Sequence, residues 1–278
     1  MESAFLQALR ATTDLTDKAA IVAEFLFRDL PEEVKLVARR CIILHWFDRF
    51  IVEALLQDTV FAQSSHEEIY AQIASLPCIE TVPFGLAYQD VTREGLLKRY
   101  ALTQPDVLQT AAHLAAPAYE VQEDERMAAE AMFCFIIAGD QPSSLRLLDT
   151  LLTRASRRED WYAMDNLLQL QDEAESLSFV IPLPRAEQSW LLRGLVHSTQ
   201  NRLEEAIRDY SQALAVNTKN AVAYLSRGTT YVEQQEWAYA EADFTTALRL
   251  TPTLVQAYIN RGMLYTRQKR YKDASKDF

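Results

Sequence analysis

EQSWLLRGLVHSTQNRLEEAIRDYSQALAVNTKN (187–220), AVAYLSRGTTYVEQQEWAYAEADFTTALRLTPTL (221–254) and VQAYINRGMLYTRQKRYKDASKDF (255–278) align without a gap at a period of 34 residues. An aromatic stands at block position 4 (Trp190, Tyr224, Tyr258) and an Arg-Gly pair at positions 7 and 8 (Arg193-Gly194, Arg227-Gly228, Arg261-Gly262). His197, Tyr231 and Tyr265 share position 11; Ala206, Ala240 and Ala274 share position 20; Tyr210, Phe244 and Phe278 share position 24. Ala213 and Ala247 share position 27, and Pro252 has Thr218 as its counterpart at position 32.

Each block reads as two helices, Glu187–Gln200 and Leu203–Val216 in the first. The small Gly194 and Ala206 let the pair approach closely, and Tyr210 then fills the gap to the next pair. One pair cannot bury its apolar face alone, so the blocks are expected to stack into a superhelix. The pattern resembles the tetratricopeptide repeat family and covers about a third of the chain. The third copy stops at position 24, partway through its second helix, so an apolar end face is expected to be open: either the sequence is a piece of a longer chain, or something else covers that face, with self-association as one way to do so.

Outward from the blocks, composition agrees. The chain of 278 residues has six Gly and nine Pro, with 49% apolar and 24% charged residues. Globular chains average about 7% Gly and 5% Pro. Few breakers favour helices, and Gly-rich phosphate loops have little material. The expected fold is all-α: a helical-repeat solenoid preceded by a helical domain with a small β-hairpin. The expected domains are 1–104, 105–186 as degenerate helical hairpins or a linker, and the repeats 187–278.

Cys41, Cys78 and Cys134 are far apart and lack CxxC spacing, which predicts buried free thiols in a reducing compartment. MESAFLQALRATTDL has no signal-peptide pattern, and the apolar run 128–139, broken by Glu130, is too short to span a bilayer. A cytoplasmic protein without membrane contact is expected. Net charge is −11; residues 105–186 carry six Lys/Arg against fourteen Asp/Glu, and 187–278 carry twelve against ten. No segment has the basic excess that phosphate binding requires, which disfavours nucleic acid.

Residues 1–104 read as helices at Ala19–Phe27, from Pro31 at N1 through Leu44, and at Phe47, Ile51, Leu55 and Leu56 by i, i+4, i+8 spacing. Ser65 and Glu68 form a capping box for the next helix. Two short strands follow, Cys78–Val82 and Leu86–Tyr88, about the turn Pro83-Phe84-Gly85; Asp90 is the expected cap of a helix 91–101. This order, with LPEEVKLVARRCIILHWFDRFIVEALL and YQDVTREGLLKRY, resembles the winged-helix module of the signal-transduction ATPases with numerous domains, over 15–104. There the module follows an ATPase and precedes a repeat array, and the His of a His-Asp pair approaches the nucleotide. Gln89 and Asp90 occupy those positions here, no GxxxxGK[ST] occurs, and no Gly precedes Lys. The resemblance implies the sensor half of such a protein without its motor, or a stand-alone descendant. Helical runs 111–116, 127–137, 145–152 and 162–170 follow, with Ile181-Pro-Leu-Pro184 as a linker.

Catalytic patterns are scarce. The four His lack metal-ligand spacing. His197 replaces a packing aromatic, and Glu123-Asp124-Glu125 reads as a solvated helix start. No cofactor, metal or enzymatic chemistry is expected. The resemblance to the repeat family implies that the first helix of each pair lines a concave face at positions 2, 5, 9, 12 and 13. These give Gln188, Leu191, Leu195, Ser198 and Thr199; Val222, Leu225, Thr229, Val232 and Glu233; and Gln256, Ile259, Met263, Thr266 and Arg267. Chaperone-binding members clamp a terminal carboxylate with Lys at 5 and Asn at 9. Leu191, Leu195, Leu225, Thr229, Ile259 and Met263 stand there instead, which implies an apolar groove for a protein or peptide. Packing of these residues within the chain stays open as an alternative. A DNA-binding winged helix is the rival function; its recognition helix, 66–75, holds Glu67 and Glu68 and no Lys or Arg.

Overall fold

The computed structural model describes residues 2–122, 124–158, 160–177, 180 and 187–278, without the side chains of 2–4 and 188. The expected linker 181–184 and Glu123 lie outside the described residues. The chain forms two compact units, one of Met1–Arg154 with Gln169–Leu183, the other of Ala155–Leu168 with Pro184–Phe278. Helices dominate both.

The first unit opens with α1 (Glu2–Ala11), α2 (Leu15–Phe27) and α3 (Glu32–Arg40). Asp14 caps α2 by accepting from the amides of Thr16 and Asp17. Pro31 is the residue before α3, not its first helical one, and Glu32 and Glu33 occupy the positive end of the helix. A 3-10 turn, Cys41–Ile43, follows α3, and all three residues are fully buried. The helix predicted through Phe47 begins later: Asp48 caps α4 (Arg49–Ala54) by accepting from Ile51 N. Phe47 instead pairs with Leu86, each amide donating to the other's carbonyl at 2.8 Å. The cap wins because an Asp side chain satisfies an otherwise orphan amide, whereas apolar spacing alone does not fix a boundary.

Ser65 caps α5 (His66–Ala74), its Oγ accepting from Glu68 N. The hairpin β1 (Ile79–Val82) and β2 (Gly85–Tyr88) is antiparallel with Val82 opposite Gly85. Gly85 has φ 148°, and a Cβ there would lie 2.3 Å from the Phe47 carbonyl oxygen, so only Gly admits the Phe47 crossing. In α6 (Asp90–Thr103), Gln89 is the cap residue without a side-chain capping bond, and Asp90 is the first helical residue rather than the cap. The hairpin of α7 (Pro105–Glu120) and α8 (Glu125–Ala138) completes this core, with Asp124 capping α8. Tyr88 donates to Ala38 O at 2.6 Å, and Tyr119 donates to Trp46 O. Cys41, Cys78 and Cys134 are free and buried.

The remaining helices are α9 (Gln141–Arg157), α10 (Trp161–Glu175), α11 (Glu187–Thr199), α12 (Leu203–Val216), α13 (Ala221–Glu233), α14 (Trp237–Leu250), α15 (Val255–Arg267) and α16 (Tyr271–Asp277). The division between the units falls within α9 and α10. In the second unit α11/α12, α13/α14 and α15/α16 form successive antiparallel pairs, each packed on the next, which makes a helical-repeat solenoid. A Cβ on Gly194 would lie 2.6 Å from the Tyr210 ring, and one on Gly228 would lie 2.8 Å from the Phe244 ring. The position-24 aromatics therefore sit on the glycine of their own pair. Phe244 also packs with Leu264 of the next pair. Tyr210 and Phe244 are buried, whereas Phe278 is 73% exposed.

Candidate functional site

The first helices of the pairs, α11, α13 and α15, lie side by side and present their outer faces together. Two hollows open between them. One, of about 580 Å³, lies between α11 and α13 and is lined by Glu187, Leu191, Leu192, Leu195, Asn220, Val222 and Ser226. The other, of about 180 Å³, lies between α13 and α15 over the Phe244 ring of α14. Its walls are Thr229, Val232, Glu233, Asn260, Met263, Leu264 and Arg267.

The structure places the expected groove residues as follows. Leu191, Leu195 and Val222 line the larger hollow, and Thr229, Val232, Glu233, Met263 and Arg267 line the smaller one. Val222, Ile259 and Met263 are exposed apolar side chains (54%, 38% and 49%). Ser198 is half-buried, and Thr199, Gln256 and Thr266 are exposed. Leu225 packs on the inter-helix clusters around Ala221 and Phe244. The side chain of Gln188 lies outside the described residues.

Position 6 of the block also faces the hollows, as Leu192, Ser226 and Asn260. Sequence reasoning passed over it, although positions 2, 6, 9 and 13 follow the i, i+4, i+7, i+11 spacing of one helix face. Asn260 donates to Thr229 Oγ1 at 3.0 Å, and Gln256 donates to Asn260 Oδ1 at 2.8 Å. Asn220 caps α13 through Ala223 N, and its amide donates to Glu187, as does that of Asn217.

Behind the groove, the Arg of each block meets an Asp one residue before the position-24 aromatic. Arg227 grips Asp243 through Nε and Nη2 at 2.8 and 2.9 Å, and Arg261 grips Asp277 at 2.8 and 2.6 Å. Each guanidinium lies under 6 Å from two Tyr rings, Tyr224 and Tyr231 or Tyr258 and Tyr265. In the first block His197 takes the Tyr position, and its Nδ1 lies 2.7 Å from Asp209. Burial lowers the His197 pKa, opposed by Asp209, and Arg202 and Arg193 push it further down. The Asp of this device recurs at position 23 of every block (Asp209, Asp243, Asp277), so its signal lies in the sequence.

A second charged cluster lies inside the first unit. His45 contacts Glu130 through Nδ1 at 3.1 Å and Glu173 through Nε2 at 3.0 Å. Arg93 donates to Glu173 at 2.8 Å and to the carbonyls of Leu44 and Ile43 at 3.1 Å each. Burial works against the imidazolium, but Glu130 and the hydrogen bonds to both carboxylates raise the His45 pKa to about 9 despite Arg93. Glu173, which burial would push up, is held down to about 2 by His45 and Arg93. Both ring nitrogens of His45 are thus engaged. Among the described residues no group of three or more His, Cys, Asp or Glu is placed to hold a metal ion. No helix there is long and apolar enough to cross a membrane.

Residues 194–235 match the TPR repeat family model. The second TPR of Spaghetti (RPAP3), solved bound to the HSP90 peptide SRMEEVD, is similar at 28% identity, over 34% of this chain and 87% of that one, with a TM-score of 0.33. MamA is similar at 19% identity over 59% of this chain and 90% of its own (TM-score 0.44). YrrB, a TPR protein with an unusual peptide-binding site, is similar at 15% identity over 66% and 81% (TM-score 0.40). No curated protein sequence matches the chain. The family match identifies a tetratricopeptide repeat at residues 194–235.

Proposed function

We propose that the repeats bind a polypeptide segment along the face of α11, α13 and α15, and that the chain contributes recognition rather than chemistry. The observation that carries this reading is the pair of hollows between successive first helices, with exposed Val222 lining one, exposed Met263 lining the other and exposed Ile259 on the same helix as Met263. Exposed apolar side chains gathered beside concave hollows are a usual mark of a partner surface. The variant Val222→Glu/Ile259→Glu/Met263→Glu changes only exposed positions and should keep the thermal midpoint of the parent. A phage-displayed library of random peptides should enrich on the parent and not on the variant. Equal enrichment on both would sink the reading.

A relay through residues 15–104 is the finer proposal. It is supported by the order α3, the Phe47 crossing, α4, α5, β1, β2 and α6, which is that of a winged helix with its short first strand. α5 carries Glu67, which pairs with Arg49 at 2.8 Å, and no Lys or Arg, so this module favours packing on protein over DNA. An ATPase encoded in frame upstream would sustain the relay; a stop codon directly before Met1 would remove it.

A further inference from the structure

Glu233 and Arg267 occupy the same block position, 13, on successive repeats, and both line the hollow between α13 and α15. Each is the last residue of its helix and each is exposed. Among the described residues neither makes an ion pair or a side-chain hydrogen bond, whereas Arg227, Arg261 and Arg270 of the same repeats are paired with Asp243, Asp277 and Glu241. For Arg267 a helix C-terminus is a favourable place. For Glu233 it is unfavourable, because the carboxylate meets the negative end of the α13 dipole. Neither charge is therefore explained by the fold's own pairing, and one of them opposes it. The floor between them is apolar, with Val232, Phe244, Met263 and Leu264, and Thr229 and Asn260 offer hydrogen-bonding groups at its side.

Neighbouring packed helices lie about 8–10 Å apart, a distance that extended or polyproline-II chain covers in about three residues. Resting on the peptide-binding reading above, we propose that this hollow takes an extended segment with one aliphatic side chain between a basic and an acidic residue about three positions apart. The basic residue meets Glu233, the aliphatic one enters over Met263 and Leu264, and the acidic one meets Arg267. A partner of this kind supplies the two missing counter-charges in one pass.

The test uses the full chain and three labelled peptides: Ser-Lys-Leu-Ala-Glu-Ser, the reversed order Ser-Glu-Ala-Leu-Lys-Ser, and Ser-Gln-Leu-Ala-Gln-Ser. Fluorescence anisotropy should show one charged order binding about five-fold tighter than the other, with the neutral peptide between them, and the gap shrinking in high salt. The double variant Glu233→Arg/Arg267→Glu, altered at two exposed positions, should fold as the parent does and invert the preferred order. Equal binding of all three peptides, or a preference that the double variant leaves unchanged, overturns the charge reading while leaving groove binding intact. Binding of none of the three also overturns it; the groove itself is judged separately by enrichment from the random library.

Discussion

The two units bury charge by different means. In the repeats, Arg227 meets Asp243 and Arg261 meets Asp277 at a sequence separation of 16, and the same pair returns with every block. In the helical unit, His45 reaches Glu130 at a separation of 85 and Glu173 at 128, and no second copy exists among the described residues. A local, periodic pair supports one repeat and its neighbour. A long-range network ties together a 3-10 turn, α6, α8 and α10, so its loss is felt across the whole unit.

The sharpest break of this comparison is Arg93→Leu. It removes one of the two cationic partners of Glu173 and the donor to two carbonyls, Ile43 O and Leu44 O. Stranding such groups costs about 3 kcal/mol, discounted from a fully buried pair because Glu173 is partly exposed. Urea unfolding followed by hydrogen exchange should show protection lost through α6, α8 and the end of α10, with α13–α15 unchanged. Loss of less than about 1 kcal/mol would make the network ornamental. pH separates the units further. The raised His45 pKa contributes stability that is complete below about 6.5 and disappears as pH rises through about 9. The lowered His197 pKa has the opposite sign: its contribution is present above about 6.5 and fades as pH falls. Alkali should therefore loosen the helical unit first, and mild acid the first repeat. Exchange rates at α8 and α12 from pH 5 to about 9 check both directions.

Glycine gives the next contrast. A Cβ at Gly95 would lie 2.0 Å from the carbonyl oxygen of Thr16, whereas one at Gly228 would lie 2.8 Å from a ring carbon of Phe244. Backbone cannot turn aside as a ring can. Gly95→Ala should cost about 3 kcal/mol and Gly228→Ala about 1–2 kcal/mol, read from urea midpoints. The reverse ranking would mean that the repeats, not the helical unit, hold the tighter contact.

The two glycines also show what the sequence reveals. Gly228 was legible because its register repeats: a small residue facing an aromatic at a fixed spacing implies close approach. Gly95 stood alone in a helix, and nothing near it in sequence names Thr16 as its neighbour. The same holds for Phe47, whose apolar spacing fits a helix while its pairing partner, Leu86, lies across the core. His45 lacked any ligand spacing because its partners come from α8 and α10. In the groove, positions 2, 9 and 13 were read from the family pattern, and position 6 was missed although helix geometry alone places it on that face. The periodic half of the molecule is thus written locally, and the rest is written in contacts between distant segments.

The smallest effect concerns the turns that close the first helix of each repeat. Asn201, Gln235 and Lys269 share block position 15 and have φ of 59°, 63° and 61°. The next amide closes each turn on the carbonyl five residues back, Arg202 on His197, Glu236 on Tyr231 and Arg270 on Tyr265, all at 2.8 Å. In the helical unit the same closure after α8, Asp140 N to Phe135 O at 3.0 Å, is made over Gly139 with φ 80°. A left-handed residue with a Cβ carries strain of about 1 kcal/mol, which Asn relieves in part and Gly removes. Gln235→Gly and Lys269→Gly should therefore each stabilise by about 0.5–1 kcal/mol, Asn201→Gly by a few tenths, and Gly139→Gln should destabilise by about 1 kcal/mol. Thermal midpoints of the four variants order them. If Gln235→Gly lowers the midpoint, the Gln235 side chain contributes more than its backbone strain costs, and the turns of the two units are not the same device.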